Sequence, residues 1–277
     1  CGDIGTALAL RLQEKQWQVS AVRRDITQLP TGLKAHALDY TDPDSVHLLR
    51  DIDCDIAVMT PTPAGRDVVG YTQGFLTAAQ QLLDAWETGP DRELIFVSST
   101  RVYGDHGGDW VDEATAPRPL DAQAEIILAA EKLLSESRHR VSVVRFSGIY
   151  GRSPSHLLNR LAQGKRTAMT PPRYSNRIHR DDCIACLEFL LQLESRESLY
   201  LASDCGPGLQ REVEDWLSQQ LGYAEREEIR VSGANRRCSN KLLLQQGFRF
   251  RHPDYRSGYS AMISSTSIPT ALGSAAT

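Results

Sequence analysis

The strongest constraint on this chain is the alternation of short β-rich apolar runs with amphipathic stretches through residues 1–150, the pattern of a parallel sheet with crossover helices. Thr6 to Lys15 predicts a helix and Trp17 to Val22 a strand; Leu33 to Leu38 predicts a weaker strand and Asp44 to Asp51 a short helix. Asp55 to Thr60 reads as a buried strand closed by Pro61 and Pro63, because proline cannot donate to a strand ladder. Tyr71 to Trp86 carries apolar residues at helical spacing and stops near Gly89-Pro90. Glu93 to Ser98 is the next strand, Ala122 to Ser137 a long helix, and Val141 to Phe146 a further strand.

Past residue 150 the rhythm changes. Ser155 to Gln163 and Asp182 to Leu193 read as helices, Leu199 to Leu201 as a strand, and Arg211 to Leu221 as a helix ended by Gly222. The expected organisation is a dinucleotide-binding domain over 1–150 and a smaller substrate-side lobe over 151–262, interleaved with the sheet. The segment 263–277, rich in Ser, Thr and Ala, is expected to be poorly ordered. The expected fold class is α/β, a Rossmann-like doubly wound parallel sheet with a small C-terminal α/β lobe.

Charge narrows the partners. Lys plus Arg number 31 against 35 Asp plus Glu, a formal −4 with no block of like charge, which argues against a general nucleic-acid or membrane-surface binder. No apolar run approaches the ~20 residues of a membrane span. Six scattered cysteines do not read as a disulfide framework, so a reducing, cytoplasmic setting is expected. The expected partner is a small-molecule substrate, and the expected state a monomer or homodimer.

Gly2-Asp3-Ile4-Gly5, followed at once by a helix, matches the back end of G-x-G-x-x-G, with the first glycine and the preceding strand expected upstream. Gly2 lets backbone approach a pyrophosphate, Gly5 lets helix and strand pack closely, and the amides of Asp3 and Ile4 open the helix N-terminus toward the phosphates. After the next strand, where an acidic residue for NAD is usual, stand Arg23 and Arg24. Two guanidinium groups there suit the 2′-phosphate of NADP, while Asp25 directly beyond keeps NAD open. Asp39, following the third expected strand, reaches the adenine amino group or caps the helix near Asp44.

At Val97-Ser98-Ser99-Thr100-Arg101-Val102-Tyr103-Gly104 the sequence resembles the extended short-chain dehydrogenase/reductase superfamily, the NAD-dependent epimerase/dehydratase group, and within it the atypical YeeZ-like branch. The resemblance continues through Val144 to Gly151, Asn176 to Asp182, Ser239 to Leu243, and Gly247-Phe248. It implies that Ser99 orients a substrate hydroxyl or carbonyl, and that a Tyr-x-x-x-Lys pair on the following helix moves the proton. That pair is absent: Gln123 stands at the tyrosine position and Ile127 at the lysine position, and neither can serve as an acid or tune one. Tyr103 and Tyr150 are the candidate substitute acids, with Tyr150, Asn176 and Arg177 as candidate substrate-binding groups.

Other constellations read as structural. The resemblance makes His179 and Asp182 the opening of a helix, with the aspartate as its cap. Cys183 and Cys186, three apart with no second pair, read as buried thiols on a helical face. Arg236 and Arg237 read as a solvated surface or a phosphate contact. Two functions follow. One is an NAD(P)-binding, epimerase/dehydratase-like oxidoreductase acting on a small carbonyl or sugar-derived substrate; the other is a non-catalytic NAD(P)-binding sensor or interaction protein, the reading that Gln123 and Ile127 favour.

Overall fold

The computed structural model describes residues 1–40, 42–152, 155–231 and 233–265. The chain opens with helix α1 (Asp3–Glu14), strands β1 (Ser20–Arg23) and β2 (Lys34–Ala37), the short α2 (Pro43–Val46), and β3 (Ile56–Met59). Helix α3 (Val68–Tyr71) runs through a π-helical segment, Thr72–Thr77, into α4 (Ala78–Ala85). There follow β4 (Glu93–Ser99), β5 (Trp110–Val111), α5 (Ala122–Ser135), β6 (Arg140–Phe146), β7 (Gly148–Tyr150), α6 (His156–Ala162), and β8 (Lys165–Thr167). The remaining elements are β9 (Tyr174–Ser175), β10 (Arg177–His179), α7 (Arg180–Leu191), β11 (Leu199–Ala202), β12 (Gly208–Leu209), α8 (Gln210–Leu221), β13 (Glu227–Ile229), β14 (Arg237–Cys238), α9 (Lys241–Gln245), and α10 (Tyr255–Ser265).

The fold is α/β with parallel strands. The main sheet has the order β11-β6-β4-β3, with Met59 opposite Phe96 and Ser99 opposite Phe146 in parallel registers. Leu94, Ile95 and Phe96 are all buried, so β4 is covered on both faces, which is why it reads as a continuous apolar run rather than an alternating one. Strands β1 and β2 form a parallel pair of their own. A cavity of about 380 Å³ is lined by Val22 of β1, Ile56 and Val58 of β3, and Leu8, Leu12 and Leu82 of helices α1 and α4.

The chain forms two compact units. The first comprises Cys1–Val102, Pro117–Phe146 and Cys183–Tyr200; the second comprises Tyr103–Ala116, Ser147–Asp182 and the chain from Leu201 onward. The core of the second unit gathers Tyr150, Leu158, Leu161, Val213, Leu217 and Tyr259 with their neighbours. Helix α8 ends where Gly222 turns left-handed at φ 70°, the C-terminal geometry that glycine adopts without steric cost. The segment expected to be poorly ordered begins inside α10, since Ile263 to Ser265 complete that helix. The rest of that segment, 266–277, lies outside the described residues.

Local signals explain the boundaries. The helix expected from Tyr71 starts earlier, at Val68, because the Asp67 carboxylate caps it by accepting the Gly70 amide at 2.8 Å. The strand expected from Trp17 starts only at Ser20. Gln16, at φ 65°, turns the chain out of α1 before it.

Candidate functional site

In the first unit, Gly2 is the N-cap of α1, so the first-turn amides face outward from a 12-residue helix. A Cβ on Gly5 would lie 2.9 Å from Thr60 Oγ1, just past β3, and this close approach is what glycine permits there. The turn is held from β1, where the Arg23 guanidinium donates to the Cys1 carbonyl at 3.1 Å and also bonds Gln28. Arg24 is different. Its side chain is 66% exposed and approaches Asp39 only at 3.7 Å. Asp25, the acid that left NAD open, is engaged locally: its carboxylate accepts from the Thr27 amide at 3.1 Å and from Gln28 Nε2 at 2.8 Å. These bonds, the Thr27 hydroxyl first, hold its carboxyl below the usual range. The cap near Asp44 comes from Asp42, which accepts the Asp44 amide at 3.1 Å, and not from Asp39.

Ser99 ends β4 half-buried, at the carboxyl edge of a parallel sheet where such folds place ligands. Its Oγ accepts the Arg101 amide at 3.2 Å. The Arg101 guanidinium forks onto Asp121, with Nε to Oδ1 at 3.1 Å and Nη2 to Oδ2 at 2.8 Å. Its remaining arm donates to Tyr71 Oη at 3.3 Å, and the guanidinium lies 5.6 Å from the Tyr71 ring centroid. The hydrogen bond it donates to Asp121 raises the already basic Arg101. Burial pushes the Asp121 carboxyl up, yet Arg101 and the Ala124 amide outweigh it and hold Asp121 below its ordinary value. Asp121 also caps α5, the helix on which the resemblance places its proton-transfer pair. No tyrosine occurs in α5; Gln123 donates to the Arg66 carbonyl at 3.3 Å, and Ile127 is buried.

The second unit holds the other expected residues. Tyr103 is fully buried, and its hydroxyl donates to the Asp112 carbonyl at 2.6 Å. Tyr150 stacks on Tyr259 at 4.5 Å and meets the His179 ring edge-on at 5.2 Å, and burial drives its phenol far above the ordinary value. Asn176 ties its own segment to β14, donating to the Arg236 carbonyl at 2.9 Å and accepting the Cys238 amide at 2.7 Å. Buried Arg177 reaches Gln210 Oε1 at 2.9 Å and the Ser175 hydroxyl.

The His-x-x-Asp stretch works in a different sense from the one expected. His179 Nδ1 accepts the Asp181 amide at 3.2 Å at the start of α7. Asp182, fully buried, instead receives the amides of Arg251 at 2.6 Å and His252 at 3.0 Å. His179, Asp181 and His252 bring possible ligand atoms within 4.8 Å of one another, but the amide bond already occupies the His179 Nδ1 lone pair. Cys183 and Cys186 are fully buried on α7.

A glycine turn opening the first helix, a parallel sheet behind it and a serine at the sheet's carboxyl edge define a dinucleotide-binding class of protein. The profile of the NAD dependent epimerase/dehydratase family matches residues 1–200, and the chain belongs to that family. It is 29% identical over 216 residues to Protein YeeZ of Escherichia coli (strain K12), covering 74% of this chain and 75% of YeeZ. A solved structure from Methylobacillus flagellatus, provisionally described as an NAD-dependent epimerase/dehydratase, superimposes with a TM-score of 0.80 at 29% identity over 95% of both chains. The Thermus thermophilus UDP-glucose 4-epimerase complex with NAD shares the fold, with a TM-score of 0.77 at 19% identity over 93% of both chains. No helix among the described residues is long and apolar enough to cross a membrane.

Proposed function

We propose that this chain is an NAD(P)-dependent oxidoreductase or epimerase-like enzyme acting on a small carbonyl or sugar-derived substrate, with Ser99 orienting the reacting oxygen. The observation that carries this reading is the close seat of Gly5 on Thr60, which brings the open end of α1 to the carboxyl edge of the sheet. The backbone of Gly2, Asp3, Ile4 and Gly5 then receives the pyrophosphate. Tyr103 and Tyr150 are poor proton donors in this reading, because one hydroxyl is spent on a carbonyl and the other phenol is strongly disfavoured as an anion. In the second unit, Asn176 and Arg177 remain the candidate substrate-binding groups, Asn176 held by the Arg236 carbonyl and Arg177 by Gln210.

NADP is the preferred cofactor in this reading. Among the described residues, Arg24 meets one loose carboxylate, Asp39, and its exposed guanidinium is open to a 2′-phosphate, while Arg23 steadies the glycine turn. Arg24→Ala is therefore expected to weaken NADPH roughly 10-fold or more, the size of a charged hydrogen bond, while NADH changes by less than about 2-fold. Arg23→Ala is expected to weaken both alike. Calorimetric titration of both cofactors checks this, and equal losses for Arg24→Ala would remove the NADP assignment.

Turnover separates the enzyme from a non-catalytic cofactor sensor, the second reading, which Gln123 in place of an acid favours. A panel of carbonyl compounds and sugar nucleotides with NADPH is expected to give turnover that falls on the order of 100-fold in Ser99→Ala, the usual effect of deleting one oxyanion donor. Tight cofactor binding with no turnover across the panel would establish the sensor instead.

A further inference from the structure

We propose that Tyr71 is the proton donor and acceptor of this site, with Arg101 as its positioning residue and Asp121 fixing Arg101 in turn. The inference rests on the reading that the first unit binds a nicotinamide cofactor. It starts from a vacancy of chemistry on α5, where Gln123 and Ile127 can neither give a proton nor hold one. In the first unit, the Tyr71 hydroxyl is met by a guanidinium, 3.3 Å from Arg101 Nη1.

Direction of donation decides what that contact does. A guanidinium only donates, so the Tyr71 oxygen accepts from Arg101 and keeps its own proton for another partner. Once that proton leaves, the negative charge forms one N–H away from a fixed cation, which is the arrangement that stabilises charge as it develops. The cation cannot swing aside. Asp121 grips it with two oxygens, and the ring of Tyr71 lies beneath it while stacking on Phe75 at 5.6 Å.

The same arginine links the phenol to the sheet edge, since its backbone amide donates to Ser99 Oγ at 3.2 Å. Ser99, Arg101 and Tyr71 thus form one connected group, with Gln123 beside it on the helix that Asp121 caps. In the reductive direction, a bound nicotinamide would supply the hydride that reaches the substrate's carbonyl carbon. Tyr71 passes its hydroxyl proton to the carbonyl oxygen, so the carbonyl becomes an alcohol while the nicotinamide is oxidised, and the tyrosinate regains a proton from solvent. Oxidation of an alcohol runs the same transfers backwards.

The test needs no substrate. Full-length protein labelled with ¹³Cζ-tyrosine is followed by NMR against pH, alone and with saturating NAD⁺ or NADP⁺, and the Tyr71 signal is identified by its loss in Tyr71→Phe. That variant keeps both ring contacts. The expected result is that the oxidised cofactor moves the Tyr71 signal at fixed pH, because the nicotinamide ring brings a positive charge beside the phenol. Arg101→Met is expected to move the signal in the opposite direction. Cofactor that binds without moving Tyr71 overturns the proposal and leaves the cofactor reading standing. Absence of binding, seen in the same titrations, overturns the cofactor reading itself and the proposal with it.

Discussion

Glu131→Ala is expected to lower the Tm of the protein by on the order of 10 °C, a larger effect than any truncation on the surface. Glu131 lies on α5 with a side chain only 6% exposed, paired with Arg145 of β6, which is 5% exposed. The pair is bidentate, Arg145 Nε and Nη2 reaching the two carboxylate oxygens at 3.0 and 2.6 Å, and Ser98 of β4 donates its hydroxyl to the same carboxylate. One side chain therefore joins two central strands to the helix that covers them. Removing it takes a bidentate carboxylate from a buried guanidinium, a loss that costs roughly 3–5 kcal/mol. Exchanging both partners for methionine removes the burial cost with the attraction, so the double variant is expected to recover most of the loss. A drop of less than about 2 °C in the single variant would show that water reaches this pair.

Buried charges of this kind are where sequence reading stops. Arg145 stands within the apolar run Val141 to Phe146, and the run predicts the strand correctly while saying nothing about the charge inside it. Its partner is 14 residues away on a helix, a separation with no periodic signature. The strands themselves were legible because β4 and β6 are covered on both faces and are rich in β-branched and apolar residues. Ser99 was legible by position, at the end of a strand, whereas its bond to the Arg101 amide depends on a turn that no spacing rule supplies.

The Tyr71 and Arg101 contact was hidden for a related reason. The two residues are 30 apart, one on a helix whose apolar periodicity explains the tyrosine as packing, the other in the turn that follows β4. A clue did exist in Asp121, the acid preceding α5, which as an N-cap already faces that turn. His179 illustrates the opposite case. The stretch announced a helix start correctly, but an imidazole and a carboxylate can each accept backbone amides, and only the folded chain decides which one caps and which one anchors another segment.

The second unit is expected to lose stability as pH rises from mildly acidic to mildly alkaline values, and Asp204→Asn is expected to abolish much of that loss. Asp204 is 2% exposed just beyond β11. One carboxylate oxygen accepts the Gly206 amide at 3.2 Å, and the other has no hydrogen-bond partner among the described residues. Burial pushes its carboxyl up from 3.8 to about 7; Asp254 and Asp182 push the same way, while the Gly206 amide and Arg177 oppose it without prevailing. Between those two values the folded chain holds a proton that the unfolded chain has released. Stability from this group is therefore complete below 3.8 and is lost as pH rises through about 7. At roughly 1.4 kcal/mol per unit, the loss is on the order of 2–4 kcal/mol once relaxation around the new charge is allowed for. Asparagine keeps the shape and the Gly206 bond and never ionises. The variant is accordingly expected to be more stable than the parent by about 2 kcal/mol at pH 8.5 and to match it near pH 5, as read from urea midpoints at the two values. If the difference between the two proteins is the same at both pH values, then Asp204 is already ionised in the folded chain near pH 5, and a partner for its second oxygen must be present in solution.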